Sequence, residues 1–573
     1  MTLAITPALP QAPPDSPSPA RPRALGWLLA AGVLAQVAVR LWFARARTGP
    51  VANPDETGYL VAARWLTGGP AADLSGNTFY RGGYPLLLTP ASWSSHDPVT
   101  VYTAVMVINA LIGAALFPLG YAAARRFGLA RRAALPLAFT AALLPATTFF
   151  GAFVLADAVL PALVLAWLLS LDRFARKGRA VDGVLASVVA AYTPAVHTRG
   201  TVLLAVHALA LAVLAVKPLR RRAALVAGGV AAAGYAAAAV FNAHLQNTMY
   251  RHGTRDLAGN FERRMTTVAG QERALAGAAG QVWYLIVSTW GLAGIGLVVV
   301  AAALVRRRTP PADRLMAAVL TAVTCGIAYA STAALPDEHR VGNFAYGRYL
   351  SCLALVYALA GAAALVRSQA RTAMRLTAAA LLVMEGAGLW VAGYAGDRLR
   401  THTFIGFDFP ETMFLTGDRT ALHLQWTALS AGVLLCGLLL LSRPARTPLL
   451  ALGVAGINLA AMTFLMGPSP DRIHPARPFP GPAAGGVVAD VAVGWDVRIK
   501  LMHPVWWTRI GRVDVRDGRP PAPGVCTVLT SLPDGTSPEA SWPAHPAGWR
   551  PYPRRDHPNG WVVWRAPVCP AAQ

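Results

Sequence analysis

The sequence predicts an α-helical polytopic membrane protein with about thirteen transmembrane helices and a small extracytoplasmic α/β domain at its C-terminal end. Three observations support this fold class. Of the 573 residues, 55% are hydrophobic and only 14% are charged, whereas charged residues make up about 25% of a typical soluble domain. Apolar runs of near-spanning length recur along the chain. Basic residues are concentrated in the loops between every second pair of these runs.

Thirteen apolar runs define the predicted spans. A helix needs about 20 mostly apolar residues to cross the hydrocarbon core, and most of the runs approach this length. Residues 183–197 and 201–216 form shorter runs, which we expect to be tilted or partly re-entrant. The runs comprise residues 24–44, 100–124, 133–150, 153–171, 183–197, 201–216, 223–242, 281–305, 315–333, 347–366, 376–394, 423–441 and 449–466.

The distribution of basic residues predicts the orientation of the chain. Six alternate loops hold 21 basic residues, and the positive-inside rule assigns such loops to the cytoplasm. They are residues 125–132, 172–179, 217–222, 306–314, 367–375 and 442–446. Residues 1–23 are Pro-rich and polar and are predicted to be a disordered cytoplasmic tail without a signal-peptide pattern. Thirteen crossings then place the C-terminal segment outside a multi-pass cell membrane.

The formal net charge of +24 does not indicate nucleic-acid binding, because the basic residues are spread over short loops rather than gathered in one patch. Among the 51 basic residues only Lys177, Lys217 and Lys500 are lysines. This strong preference for arginine is typical of GC-rich bacterial genomes. The expected environment of the chain is therefore a lipid bilayer in a bacterial cell envelope.

The extracytoplasmic side is predicted to carry a long first loop, 45–99, within the membrane domain 24–466, and a separate domain, 467–573. The C-terminal segment begins with a Pro-rich stretch and continues with a β-like run at 485–492 and an amphipathic stretch at 495–510. Its two cysteines, Cys526 and Cys569, could pair in an oxidising compartment, although their spacing does not establish a disulfide.

The first external loop contains an acidic pair, Asp55 and Glu56, within "VANPDETGYLVAARWLTGG" (51–69). Asn53 and Pro54 suit the start of a helix that places both acids in its first turn, where the helix dipole favours them. Such a helix would end near Gly68 and lie at the membrane interface. A catalytic base or a metal-ligand pair is the alternative, favoured by a further acid, Asp157, near the same face of the membrane.

Several short stretches resemble a known enzyme group. The stretch "PDETGY" (54–59), followed by "YRGGYPL" (80–86), is similar to the first external loop of GT-C-type glycosyltransferases, most closely protein O-mannosyltransferases and aminoarabinose transferases. Further similarity lies in "ADAVL" (156–160), "HTRGTVLL" (197–204) and "YGRYLSCLAL" (346–355). The resemblance covers most of residues 24–366 in layout, with Arg81 standing approximately where the family has a lysine.

The resemblance implies an inverting sugar transfer from a polyprenyl-phosphate-linked donor to an acceptor hydroxyl on the extracytoplasmic face. Asp55 is then the expected catalytic base, with Glu56 orienting it or, together with Asp157, holding a divalent cation such as Mg²⁺ or Mn²⁺. No residue spacing establishes a metal. The remaining substrate-binding candidates are the arginines, expected to hold the phosphate, and two tyrosines near them: Arg81, Tyr84, Arg199, Arg348 and Tyr349. The acceptor is expected to be a cell-envelope glycan, lipid or protein.

Other interpretations are compatible with parts of the sequence. Each of the three arginines also suits the role of a snorkelling or interface anchor. A transporter or flippase of a lipid-linked glycan would share the spans and the arginines, although such proteins usually place polar groups at mid-membrane depth. A membrane scaffold presenting residues 467–573 would leave the acidic loop unexplained. Patterns typical of P-loop ATPases, zinc proteases, α/β-hydrolases and CxxC redox proteins are absent from the sequence.

Overall fold

The computed structural model describes residues 22–568, apart from residues 53, 70, 94, 96, 468–485, 495, 496, 498–509 and 555–559. Within these residues a large helical body is followed by a five-stranded sheet. The predicted tail, 1–23, and the amphipathic stretch, 495–510, lie almost entirely outside the described residues, as do Asn53 and Cys569.

Eight helical segments among the described residues are long and apolar enough to cross a membrane. They are α1 (Pro22–Ala44), α4 (Pro98–Ala114) continued by α5 (Leu116–Arg126), α11 (Pro218–Met249), α15 (Pro311–Ala334), α16 (Arg348–Arg367), α17 (Ala370–Ala395), α20 (Leu424–Leu441) and α21 (Thr447–Met466). The most central of them is α16, because 89% of its apolar window is buried inside the protein. The polytopic helical fold is thus confirmed.

Two bent helix pairs raise the number of candidate spans among the described residues to as many as ten, if each pair is counted as one span. The first joins α6 (Arg131–Ala141) to α7 (Pro145–Thr148) and a 3₁₀ turn, Phe150–Ala152, with a 59° bend; the second joins α13 (Val268–Val287) to α14 (Leu292–Val305) with a 117° bend. The other predicted runs correspond to the shorter apolar helices α9 (Ala180–Val196) and α10 (Arg199–Ala215) and to α8 (Leu160–Lys177), whose last turns are charged. The predicted count of thirteen is therefore not confirmed.

The loops predicted to be cytoplasmic meet at one end of the helical body. Arg126 Nε lies 2.8 Å from Asp172 Oδ2, and both Arg126 and Arg176 also contact Asp313. Arg367, at the end of α16, donates a 2.7 Å hydrogen bond to the carbonyl of Phe127. These ion pairs join α5, α8 and α15 at the end opposite to the first external loop, while the side of the membrane on which they lie stays a prediction.

Five further helices lie between the spans: α2 (Asp55–Leu66), α3 (Gly83–Trp93), α12 (Leu257–Thr266), α18 (Arg398–Thr401) and α19 (Pro410–Thr416). The helix predicted for the acidic pair is confirmed in α2, which starts at Asp55 with Pro54 at its N-cap position. Residues 56–64 of this helix are all buried under protein, and its expected position at the membrane interface stays a prediction.

The C-terminal sheet covers α2. Its strands are β1 (Gly486–Asp490), β2 (Ile510–Val513), β3 (Val525–Leu532), β4 (Arg550–Arg554) and β5 (Gly560–Arg565), in the order β2-β1-β3-β5-β4. Strands β2, β1 and β3 run parallel, whereas β5 is antiparallel to β3 and β4.

Each face of the sheet has its own apolar core. One face, with Ala489 and Trp561, packs on Val61 and Ala62 of α2 and on the end of α11. The other face is covered by Trp542 and its neighbours. An ion pair of 3.6 Å between Arg512 and Asp73 ties the sheet to the first external loop. Cys526, on β3, is disulfide-bonded.

Candidate active site

A cavity of about 1020 Å³ lies among the loops and helix ends on the predicted external side. Its walls come from the first external loop, the link between α9 and α10, the region of α12, the end of α15, the start of α16 and the loop before α19. Within the described residues, seven arginines and three carboxylates line it: Arg47, Arg81, Arg199, Arg255, Arg340, Arg348 and Arg419, with Asp55, Glu338 and Asp408. The cavity therefore has a positive electrostatic potential that favours anionic ligands.

Asp55 stands on the cavity wall with both carboxylate oxygens in contact with donors. Tyr80 donates its hydroxyl to Oδ1 at 3.0 Å, and Arg348 donates from Nη2 to Oδ2 at 2.8 Å. The Asp55 side chain remains 28% exposed. The carboxylate is thus held in one orientation while its remaining lone pairs stay accessible from the cavity.

Arg348 also reaches the second acid, Asp157. Its guanidinium lies 3.3 Å from Asp157 Oδ2 and 3.4 Å from the hydroxyl of Tyr346. Asp157 is 1% exposed and receives a second cation, Arg199, whose Nη2 lies 2.6 Å from Oδ1. A continuous chain of charged groups therefore runs from Asp55 through Arg348 and Asp157 to Arg199.

Arg199 is engaged at every nitrogen. Besides Asp157, its guanidinium donates from Nη1 to the carbonyls of Arg348 and Tyr349, and from Nε to His197 Nδ1. Its side chain is 4% exposed. The sequence-based expectation that Arg199 binds phosphate does not fit this arrangement, because its donors already fix the start of α16 and the position of Asp157.

Glu56 faces away from the cavity and is fully buried. Oε1 accepts from the backbone amides of Val51 and Ala52, both at 2.7 Å, and Oε2 accepts from the Tyr102 hydroxyl at 2.6 Å and from the Val154 amide at 2.8 Å. Four donors on a single buried carboxylate join the first loop, α4 and the segment before α8. Glu56 is therefore a residue that holds the loop of Asp55 in place.

The expected cation site of Glu56 and Asp157 does not fit this geometry. Protein donors occupy both oxygens of each carboxylate, and the charge of Asp157 is matched by two arginines. Among the residues that the structure describes, no group of three or more His, Cys, Asp or Glu side chains is arranged to hold a metal ion.

Arg81 differs from Arg199 and Arg348 because none of the described carboxylates lies within ion-pair distance of it. Its Nη1 donates at 2.6 Å to the carbonyl of Pro194, near the end of α9, and its Nε has no hydrogen-bond partner in the described part of the chain. Burial lowers the pKa of the Arg81 guanidinium. Arg81 is thus a partly desolvated cation facing the cavity with unused donor capacity.

The glycines beside Arg81 explain how it approaches α9. A Cβ on Gly83 would lie 2.6 Å from the carbonyl carbon of Ala195, so a larger residue would push the loop away from the helix. The carbonyl of Gly83 accepts from the Tyr192 hydroxyl at 2.7 Å, and the amide of Gly82 donates to Asn242 Oδ1 at 2.8 Å. The "RGG" sequence therefore packs the first loop tightly against α9 and α11.

The two tyrosines predicted to bind substrate have different surroundings. Tyr84 is fully buried, donates its hydroxyl to Asn109 Oδ1 at 2.8 Å and does not line the cavity. Its expected contact with substrate is therefore not supported by its position, and it serves as a core contact. Tyr349 does line the cavity, with its ring centroid 4.7 Å from that of Tyr346.

Several cavity residues were not identified from the sequence. They are Arg47, Tyr59, Tyr80, Arg255, Glu338, Arg340, Tyr346, Asp408 and Arg419. Tyr80 and Tyr346 are the first residues of stretches that the sequence had singled out, so those stretches could have indicated them. Arg340 lies 2.5 Å from Glu338, which also pairs with Arg255, and these three come from external loops without a recognisable pattern.

Asp408 adds a third acid near Arg348. It is 3% exposed, and its Oδ2 has no hydrogen-bond partner within the described residues. Burial raises the pKa of Asp408 to about 6, against the opposing effect of Arg348 and Arg340. This carboxyl group therefore changes its charge close to neutral pH.

Solved structures with the same architecture exist. ArnT from Cupriavidus metallidurans bound to undecaprenyl phosphate superposes with a TM-score of 0.53 at 15% sequence identity, covering 96% of this chain and all of that chain. The chain has the ArnT fold. The apo state of that ArnT gives a TM-score of 0.52 at 14% identity, covering 95% of this chain and 99% of the other. No protein-family model and no curated protein matches the sequence.

The match to ArnT extends over the membrane domain and the C-terminal sheet, because nearly the whole of both chains is covered. The resemblance to GT-C-type aminoarabinose transferases that the short sequence stretches indicated is confirmed at the level of the fold. At 15% identity the likeness shows the architecture alone.

Proposed function

We propose that this protein is an inverting membrane glycosyltransferase that moves a sugar from a polyprenyl-phosphate-linked donor to an acceptor hydroxyl on the extracytoplasmic face. The observation that carries the proposal is the pairing of Asp55 with Arg348 at 2.8 Å on the wall of an arginine-lined cavity. The ArnT fold supports it, because an ArnT with this fold binds undecaprenyl phosphate. The acceptor we expect is a cell-envelope glycan, lipid or protein.

Asp55 suits the role of general base. Of the acids in the charged chain it is the accessible one, since its side chain is 28% exposed whereas that of Asp157 is 1% exposed. In the proposed reaction the acceptor hydroxyl gives its proton to Asp55 as its oxygen bonds to the anomeric carbon. A positioned base of this kind typically contributes about 10²–10⁴-fold to the rate.

The leaving group requires positive charge at a fixed position. As the new bond forms, the bond between the anomeric carbon and the phosphate oxygen breaks, and its electron pair remains on the phosphate. Attack from the side opposite to the leaving phosphate inverts the anomeric carbon. Arg81 suits this phosphate best, because it lines the cavity and its charge is not matched by a described carboxylate. Arginine also keeps its charge while it forms two parallel hydrogen bonds.

The chain of charges explains how Arg348 can act both on the base that faces the acceptor and on the phosphate of the donor. Its guanidinium is held between Asp55 and Asp157, while Arg199 balances the second acid. Pre-oriented charges of this kind need no reorganisation when negative charge develops on the phosphate. Arg348 therefore orients the base and adds positive potential toward the departing group.

Transfer can be tested directly with the purified full-length protein in lipid nanodiscs. Radiolabelled polyprenyl-phosphate sugars are supplied with envelope extracts as acceptors, and the release of polyprenyl phosphate and the labelled product are followed. We expect transfer by the wild type and loss of transfer in Asp55→Asn. Movement of intact labelled donor across the bilayer without cleavage would instead support a flippase and contradict the proposal.

A further inference from the structure

His197 occupies the short link between α9 and α10, next to the residues that hold Arg81. It is half-buried and lines the cavity. The carbonyl of Pro194, three residues earlier, accepts the hydrogen bond from Arg81. Arg81 and His197 therefore flank the same end of α9.

The hydrogen bonds of His197 fix its tautomer. Nδ1 faces the backbone N–H of Arg199 at 3.1 Å and the Nε of the same arginine at 3.3 Å. Both groups are donors that cannot accept a hydrogen bond, so Nδ1 must supply its lone pair. A neutral imidazole with an unprotonated Nδ1 carries its proton on Nε2.

The Nε2–H group is the unused end of this side chain. In the described part of the protein no hydrogen bond involves Nε2, although Nδ1 contacts Arg199 and the Thr198 hydroxyl. Nε2–H can only donate. It would become an acceptor only if its proton moved to Nδ1, and a protonated Nδ1 would lose its contacts with Arg199. An imidazole locked in this way is suited to an oxygen acceptor and unsuited to proton transfer.

We infer that His197 binds the donor phosphate through Nε2–H, beside Arg81, as a neutral second donor to the departing group. This inference rests on the proposed function. The ligand class follows from the surroundings. The cavity carries an excess of arginines over carboxylates, and Arg81, which has no described carboxylate partner, is hydrogen-bonded to the same end of α9. A hydrogen bond to a charged acceptor is stronger than one between neutral groups, which makes an anionic phosphate oxygen the favoured partner.

Two substitutions, each of which reproduces one nitrogen of the imidazole, distinguish the role of Nδ1 from that of Nε2. In His197→Asn the side-chain oxygen can replace Nδ1 as the acceptor for Arg199, but the donor toward the cavity is lost. In His197→Gln the amide nitrogen can replace the Nε2 donor, but the acceptor for Arg199 is lost. A residue that binds phosphate needs the donor toward the cavity, which Gln keeps. A residue that only positions Arg199 needs the acceptor, which Asn keeps.

The test measures binding of undecaprenyl phosphate, and of undecaprenol as an uncharged control, to full-length protein in nanodiscs. We expect His197→Gln to stay within about 3-fold of the wild-type affinity for the phosphate and His197→Asn to be weakened roughly 10- to 100-fold, the usual range for a hydrogen bond to a charged group. Undecaprenol should bind all three proteins equally.

The outcomes distinguish the two proposals. Wild-type protein that binds the phosphate no better than undecaprenol overturns the proposed function and this inference together. The inference alone is overturned if the wild type binds the phosphate but His197→Asn binds it better than His197→Gln. It is also overturned if all three proteins bind the phosphate equally.

Discussion

Arg348 Nη2 lies 2.8 Å from Asp55 Oδ2, although 293 positions separate the two residues in the chain. The contact joins the first turn of α2 to the first turn of α16, the most buried of the long apolar helices. Through this pair the most buried helix of the membrane domain holds a carboxylate that belongs to the segment between the first two spans.

Asp55→Asn should abolish transfer and leave the fold intact. Asparagine nearly keeps the shape. Its oxygen can still accept from Arg348 and its NH2 group can donate to the Tyr80 hydroxyl, but its amide cannot take a proton from the acceptor. We expect kcat to fall by about 10²–10⁴-fold with donor affinity within a few-fold of wild type. Steady-state transfer and lipid binding in nanodiscs measure the two quantities. Near-wild-type turnover would return Asp55 to the role of a helix-start residue.

Arg348→Ala should weaken both donor binding and turnover, because it removes a counter-charge shared by Asp55 and Asp157. Arg348→Lys should keep part of the donor binding, since lysine retains the charge but cannot reach both carboxylates with one planar group. The matched control is Arg367→Ala, which alters the opposite end of the same helix. Unchanged donor affinity in Arg348→Ala, measured by native mass spectrometry, would remove Arg348 from the site.

Glu56→Ala should damage the protein more broadly than Asp55→Asn does. It leaves the amides of Val51, Ala52 and Val154 and the hydroxyl of Tyr102 without their common acceptor, and each unsatisfied buried donor costs about 1–3 kcal/mol. We expect a lower melting temperature in detergent and a lower yield of monodisperse protein. A Glu56→Ala protein as stable as the wild type but inactive would instead indicate a direct role in catalysis.

Glu411 should make stability depend on pH. This residue of α19 is fully buried, accepts a 2.7 Å hydrogen bond from the Tyr284 hydroxyl and has its pKa raised by burial from 4.5 to about 7. The folded state therefore binds the proton more tightly than the unfolded state. The free energy of unfolding should decrease as pH rises from about 4.5 to about 7, by about 3 kcal/mol in total.

The matched variant for this effect is Glu411→Gln, which keeps an acceptor for Tyr284 but cannot ionise. Its melting temperature should be less sensitive to pH than that of the wild type and higher at pH 8. The comparison uses thermal unfolding in one detergent across pH 5–8. Parallel curves for the two proteins would show that Glu411 is not the group responsible.

The orientation of the chain gives a further prediction. The basic ends of α5, α8 and α16 should lie in the cytoplasm, and the cavity and the sheet should lie outside. Alkaline phosphatase fused after residue 573 should therefore be active, whereas green fluorescent protein fused there should stay dark. The reverse result would place the cavity on the cytoplasmic face and remove the basis for an extracytoplasmic reaction.

The sequence allowed the membrane domain to be predicted because the bilayer imposes its requirements locally, through apolar length and the charge of short loops. Asp55, Arg81 and Arg348 could be selected because each stands in a short recognisable stretch beside a membrane entry point. The contacts among them could not be predicted, since they depend on how α2, α9 and α16 pack.

Glu56 illustrates the limit of local patterns. From its position beside Asp55 it was predicted to orient the base or to help hold a cation, and only the packing of α4 and of the segment before α8 turns it inward. Arg255, Arg340 and Arg419 were missed for the opposite reason. Their loops carry no recognisable pattern, and only the structure shows that the three residues line the same cavity.

The sheet that covers α2 also sets the order in which the site can be completed. Helix α2, with Asp55 and Glu56 in its first turn, is synthesised near the start of the chain, whereas Ala489 and Trp561, which pack over Val61 and Ala62, follow the last span. The membrane helices can therefore insert while the outer surface of α2 is still bare. Enclosure of that helix has to wait until the final strand of the sheet has been synthesised, so a chain cut short after α21 would leave the apolar outer surface of α2 exposed.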